Sequence, residues 1–193
     1  MRKLVYLVAS TLDGFVAAPS REDPTGSVFP FEGDHAEPLI REYPEMAPTR
    51  VRGMLGIEDA EHRHFDTVLE GRVSYQMGVD LGVDDAYRHL RHYVFSRTMT
   101  SAPGDQVVVV NSDPVAKVRE LKQEDGKDIW LCGGGALAGA LRSEVDEIHL
   151  KLNPVVVGTG APLFDAEFGI DRFSLKDSRV FGSGVALLRY ARA

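Results

Sequence analysis

The chain has 193 residues, with 22 Lys and Arg against 29 Asp and Glu for a formal charge of −7. That balance argues against a surface built to neutralise a nucleic-acid backbone, which needs clustered cations. The most basic stretch, YRHLRHYVFSR from Tyr87 to Arg97, is broken by apolar residues. No run of about 18 apolar residues offers a membrane span. The length and the 44% hydrophobic content suit one well-buried core, so a single domain over residues 1–193 is expected.

In chain order, Leu4 to Ala9 is an apolar run and the first predicted strand. The opening MRKLVYLVASTLDG carries two basic residues but no small-residue cleavage pattern, so it reads as that strand and not as a signal peptide. Residues Pro19 to about Gly56 are rich in Pro, Gly and acidic side chains with weak periodicity, which predicts a partly helical flap over a pocket. Asp66 to Leu69 is a second strand leading into a helix that starts at Gly71, and His92 to Phe95 and Val107 to Val110 are two more strands. DPVAKVRELKQ, Asp113 to Gln123, has an Asp N-cap, Pro at the first helical position and apolar residues at 115, 118 and 121, so it is an amphipathic helix.

Ile129 to Cys132 is a further strand, Ala136 to Leu141 a helix, and Glu147 to Val157 a long strand with Pro154 at a bend or an edge. Alternating residues on both sides of Gly182-Ser183-Gly184 predict an antiparallel hairpin. Short apolar strands alternating with helices are the pattern of an α/β sheet covered on both faces, here parallel first and antiparallel at its end.

Three segments follow strands and carry phosphate-binding chemistry. In LEGRVSYQMG, Gly71 allows close backbone approach, Arg72 is a bidentate donor, and Ser74 can reach an oxygen at the helix start. The alternative is a strand-ending glycine, a solvated arginine and a capping serine. Gly133, Gly135 and Gly139 give G-x-G-x-x-x-G, one residue off the dinucleotide fingerprint and without its acidic partner. Such a run serves either tight packing or a phosphate. Ser96-Arg97 follows HYVF and is either a polar turn or a phosphate grip. The three gain meaning together, because ligands of open α/β sheets bind beyond the carboxyl ends of the strands.

Among the other signals, His62, His64, His89 and His92 match no metal-ligand spacing, so no metal is expected. Cys132, the only cysteine, excludes an intramolecular disulfide and fits a reducing compartment, with the cytoplasm the default. Its thiol reads as a buried strand residue. Asp84-Asp85 reads as a helix N-cap, and Trp130 as core.

The segments ASTLDGFVA (9–17), VLEGRVSYQMG (68–78), YVFSRT (93–98), IWLCGGGALAGAL (129–141) and VDEIHLKLNPVVVGTGAPLF (145–164), in this order, resemble the dihydrofolate reductase family in its bacterial form. Its members are similar to the C-terminal reductase domain of the bifunctional riboflavin-pathway deaminase/reductase. The resemblance implies a dihydrofolate reductase-like α/β fold: a mixed, mostly parallel sheet of about eight strands, helices on both faces and a C-terminal antiparallel hairpin. It also implies an NADPH-dependent reductase acting on a C=N or related bond of a small nitrogen heterocycle such as a pterin, folate or pyrimidine. Arg72, Ser74, Ser96 and Arg97 would hold the adenosine end and its 2′-phosphate, Gly71 would let the backbone close in, Gly133, Gly134 and Gly135 would admit the pyrophosphate, and the backbone at Ala9 would meet the nicotinamide.

Two departures bear on the substrate. The riboflavin-pathway reductases commonly carry a lysine where this chain has Leu7 and a glutamate where it has Cys132, which points away from a phosphoribosyl-aminopyrimidine. The catalytic candidate is Asp13, polar at the end of an apolar strand beside Gly14; its alternative is an Asp-Gly turn. Glu32 and Asp34 in the flap are lesser candidates, and Phe29 and Phe31 are candidate substrate walls. The partners expected are a small-molecule substrate and, by resemblance, a second copy of the chain in a homodimer. A different class of function, a nucleotide- or ligand-binding module of the same fold without turnover, is distinguished by NADPH binding without oxidation. A third reading is an oligomeric scaffold with no dinucleotide site.

Overall fold

The computed structural model describes residues 1–20 and 22–193. An eight-stranded sheet crosses the molecule. Its strands, in chain order, are β1 (Leu4–Ser10), β3 (Phe65–Gly71), β4 (Arg91–Phe95), β5 (Val107–Val110), β6 (Asp128–Gly133), β7 (Glu147–Leu152), β9 (Phe173–Val180) and β10 (Ala186–Arg192). They lie side by side as β5-β4-β3-β6-β1-β7-β10-β9. The first six run parallel, β10 is antiparallel to β7, and β9 is antiparallel to β10. The short strands β2 (Phe15–Ala17) and β8 (Ala161–Pro162) pair separately. The mixed sheet and its terminal hairpin are those of the expected dihydrofolate reductase-like architecture.

Both faces are covered, which is why the central strands read as unbroken apolar runs rather than alternations. Leu4, Tyr6, Leu69 and Leu131 face one side, where Val118 and Leu121 of helix α4 (Pro114–Gln123) and Leu137 of helix α5 (Gly135–Ala140) close the core. Val5, Leu7, Val68 and Trp130 face the other, under Leu39 of helix α1 (Ala36–Glu42) and Tyr43. Tyr75 of helix α3 (Arg72–Asp80) packs on Val94 on that second side. The predicted cap of α4 is formed: the Asp113 carboxylate accepts from the Val115 amide at 2.9 Å. Trp130 is core, and its indole N–H is satisfied by the Leu7 carbonyl at 3.0 Å.

Two expectations are corrected. The strand expected to run to Val157 ends at Leu152. The Asn153 amide donates to the Ser10 carbonyl at 2.8 Å, and the chain then turns so that Val155 accepts from Leu12 at 2.8 Å; Pro154, with no N–H, sits in that turn. Asp84 and Asp85 cap no helix. Asp84 pairs with Arg88, and Asp85 turns inward to His92.

The segment after β2 is partly helical as expected. It contains α1, a 3₁₀ turn at Pro44–Met46 and the short helix α2 (Thr49–Arg52). Glu45 fastens it to the sheet: one carboxylate oxygen accepts from the amides of His64 at 2.6 Å and Phe65 at 3.2 Å, and from that of Arg63.

Candidate functional site

A cleft of about 1320 Å³ opens where the parallel strands end and continues under the segment after β2. Register explains what meets there. Gly71 at the end of β3 pairs with Phe95 at the end of β4, and Glu70 pairs with Gly133 at the end of β6. The sequence-predicted residues Ala9, Gly71, Arg72, Ser74, Ser96, Arg97, Gly133, Gly134 and Gly135 all line this one cleft.

Their local roles differ. Gly71 caps α3 with no side-chain hydrogen bond, so the first amides of that nine-residue helix are open to a ligand at the end where its dipole is positive. Arg72 and Arg97 are exposed, and among the described residues neither has an ion-pair partner. The Ser96 hydroxyl braces its turn by accepting from the amides of Thr98 at 3.2 Å and Met99 at 3.0 Å. Asn111 adds hydrogen bonds to the carbonyls of Ser96 at 2.6 Å and Met99 at 2.7 Å, fixing the backbone on either side of Arg97.

The glycine run divides between the two readings left open above. A Cβ at Gly135 would come within 2.1 Å of the Pro162 carbonyl oxygen, and one at Gly139 within 1.9 Å of the Asp165 carbonyl oxygen. These two glycines are required by backbone packing against residues 162–165. At Gly133 and Gly134 the nearest groups to an added Cβ are the Ser74 hydroxyl, at 3.3 and 3.6 Å. There the thin backbone keeps the start of α3 and the end of β6 in close approach along the cleft.

On the flap side of the sheet the cleft has a second wall that sequence reasoning missed. His92 on β4 is bracketed by Glu70 Oε2 at 2.9 Å from Nε2 and Asp85 Oδ1 at 2.9 Å from Nδ1. The three residues are 1%, 5% and 5% exposed, so their charges are tolerable only because they are paired. Burial pulls the His92 imidazole down, but hydrogen bonds and charge from Asp85 and Glu70 outweigh it and raise it to about 9. Glu70 faces the cleft, as do Tyr87 and Cys132, whose hydroxyl and sulfur lie 3.8 Å apart. Burial first, and then neighbouring charge, pushes both the phenol and the thiol well above their ordinary ranges, so both are neutral.

Lys151 lies on the same side, beside Ala9 in register, and burial lowers its ammonium. Its Nζ donates to the Pro30 carbonyl at 3.3 Å. The available signal was a polar residue at a core-facing position: Glu70 follows Val68, and Lys151 follows His149, on the inward face of their strands.

Phe29 and Phe31 line the cleft, and Asp13 does not. The exposed Asp13 carboxylate accepts from the Thr11 hydroxyl at 2.6 Å and from the amides of Val157 at 3.1 Å and Gly158 at 2.7 Å, which ties two loops together. Those bonds, the Thr11 hydroxyl foremost, hold it below the usual carboxylate range. Asp34 likewise accepts from the amides of Gly182 at 2.5 Å and Ser183 at 3.0 Å at the hairpin turn.

Residues 2–187 match the RibD C-terminal domain. The chain belongs to that family. Among curated proteins of Bacillus subtilis, YwjB is 32% identical over the whole of this chain and 99% of its own length, and YyaP is 32% identical over 98% of this chain and 94% of its own. The fold is shared with a protein of Shewanella sp. PV-4 assigned to riboflavin biosynthesis, at TM-score 0.68 and 21% identity over 100% of this chain and 99% of that one. It is also shared with the Thermotoga maritima diaminohydroxyphosphoribosylaminopyrimidine deaminase/5-amino-6-(5-phosphoribosylamino)uracil reductase, at TM-score 0.63 and 17% identity over 100% of this chain and 57% of that one. Dihydrofolate reductase of Enterococcus faecalis, complexed with NADP(H), gives TM-score 0.63 at 11% identity over 98% of this chain and 96% of its own. The RibD C-terminal domain of this chain therefore has a reductase-like fold. No helix among its described residues is long and apolar enough to cross a membrane.

Proposed function

We propose that this chain is an NADPH-dependent reductase that transfers hydride to a C=N or related unsaturated bond of a small nitrogen heterocycle. The observation that carries the reading is the convergence of Arg72, Arg97, the uncapped start of α3 and the thin backbone at Gly133 and Gly134 on the carboxyl edge of three adjacent parallel strands. That donor set fits a dinucleotide with a 2′-phosphate: two guanidinium groups without ion-pair partners among the described residues suit a dianionic monoester, and open amides suit a pyrophosphate. A site for NADH would instead offer a carboxylate to the ribose hydroxyls.

When bound, the cofactor supplies the hydride. The protein's part is position and protonation. Arg72, Ser74, Ser96 and Arg97 hold the phosphate-bearing end, Gly71 and Gly133 to Gly135 keep the backbone close, and Ala9 presents its backbone at the far end of β1. Phe29, which is buried, and Phe31, at the exposed rim, wall the acceptor pocket. Lys151, whose ammonium is made more acidic by its burial, is placed to return a proton to the reduced nitrogen. Asp13 contributes by holding the loop after β1 against residues 157 and 158.

The test is a fluorescence titration of NADPH and NADH against the parent and Arg97→Ala. Loss of a charge-assisted contact to the 2′-phosphate should weaken NADPH by about ten- to a hundredfold and leave NADH unchanged. Absence of saturable NADPH binding at about tens of micromolar overturns the proposal.

A further inference from the structure

We propose that Glu70 is a specificity-determining carboxylate, the cleft-facing end of a buried Asp85–His92–Glu70 chain with one net negative charge, and that it selects a planar ligand edge of amidine type. The proposal deepens the reductase reading but rests on the flap-side wall alone.

The charge follows from geometry. With Glu70 and Asp85 ionised, each ring nitrogen of His92 faces an oxygen that only accepts, so both nitrogens carry protons and the ring is an imidazolium. Tyr75 of α3 and Tyr87 also pack on the ring, edge-on, with centroids at 5.7 and 5.8 Å, and add no charge. Two carboxylates against one imidazolium leave one negative charge. Among the described residues no other cation pairs with Glu70 or Asp85. The Tyr87 phenol and Cys132 thiol beside Glu70 are neutral, so the excess charge is presented to the cleft by Glu70.

A buried, underpaired carboxylate raises the affinity for whatever brings donors to it. The surroundings limit the shape. The rings of Tyr87 and Trp130 both line the cleft and meet at 5.0 Å and 76°, an aromatic corner next to the carboxylate. A flat, electron-poor C–N unit with N–H donors on its edge satisfies both features. In a reductase, an iminium-like acceptor would gain from the same negative charge.

The probe is benzamidine, a planar cation, against benzamide, its neutral counterpart of the same shape. Both are titrated into the full chain without nucleotide, by calorimetry and through the emission of Trp130, the chain's only tryptophan. The expected result is a preference for benzamidine of about tenfold or more, lost in Glu70→Gln. Asp85→Asn provides a second variant that does not touch the cleft wall. It removes one charge from the chain and should weaken benzamidine while leaving benzamide unchanged, which a merely structural role would not produce. Equal binding of the two probes by the parent overturns the proposal, as does a preference undiminished in both variants or no benzamidine binding in the millimolar range. NADPH titration of the same preparations separates the two readings: benzamidine preference without NADPH binding removes only the reductase, and NADPH binding without the preference removes only the Glu70 assignment.

Discussion

Glu70 and Gly71 are neighbours in sequence, yet they belong to two walls of the cleft with opposite electrostatics. From Gly71 onward the wall consists of open helix amides and two exposed guanidinium groups without ion-pair partners among the described residues, where water screens the charge until a ligand arrives. From Glu70 back toward His92 and Asp85 the charges are buried and paired at 2.9 Å, where screening is weak and the protein itself must compensate them. The first wall can lose a guanidinium and lose mainly affinity. The second cannot lose its imidazolium without leaving two carboxylates in a medium that will not solvate them, so it couples binding to stability.

The largest effect should come from breaking the second wall at its centre. His92→Leu leaves Glu70 and Asp85 buried without their cation, and about 3–5 kcal/mol of unfolding free energy should be lost in urea titrations. The parent should carry a matching pH signature. A histidine raised in the folded state stabilises fully below its unfolded value of about 6.5 and progressively less as pH climbs through about 9. Between pH 6 and 8, below the usual thiol range, this one group should therefore take about 2 kcal/mol from the parent, against the rise contributed by His64, His89 and His149, whose imidazoles burial lowers. The difference between the parent and His92→Leu profiles should isolate that fall; profiles of equal slope would assign it to other groups.

Breaking the first wall at Gly135 tests whether its glycines serve packing or ligand. Because the Pro162 carbonyl occupies the space a Cβ would need, Gly135→Ala should cost about 3 kcal/mol of stability with or without nucleotide. Gly133→Ala, whose Cβ would meet only the Ser74 hydroxyl, should fold nearly as well as the parent and weaken NADPH instead. If both variants lose stability alike, the division of the glycine run between packing and binding is wrong.

The two walls also differ in how far the sequence exposes them. Gly71, Arg72, Ser96, Arg97 and Gly133 each stand just after an apolar run, so once the strands are recognised the parallel order brings them to one edge, and residue type alone names their chemistry. Glu70, Asp85 and His92 come from the end of one strand, a loop and the start of the next. Their association depends on side-chain direction across a register, which apolar periodicity does not encode. Asp85 looked like a helix cap because a short polar residue in a loop usually caps something, and only the buried imidazole explains why it turns inward. The end of β7 was obscured for a similar reason: apolar residues continue to Val157, but the pairing partner after Ser10 is a loop and not a strand.

Asp13 allows the smallest and most discriminating test, because it was the sequence's catalytic candidate and the fold gives it a full set of hydrogen bonds outside the cleft. If its role is to clamp the loop after β1, Asp13→Asn should keep the bond from Thr11, weaken those from the amides of Val157 and Gly158, and speed hydrogen exchange at those two amides. Global stability and NADPH affinity should stay as in the parent. Its depressed protonation range gives the same clamp a pH dependence. The clamp is intact above the ordinary carboxylate range and is lost as pH falls through the lowered folded value, so the protection of the Gly158 amide relative to its intrinsic exchange rate should fall in acid in the parent but not in the variant. Unaltered exchange at both amides, together with a loss of the NADPH oxidation that the proposed reductase reading expects, would instead return Asp13 to the chemistry and require the loop to move on binding.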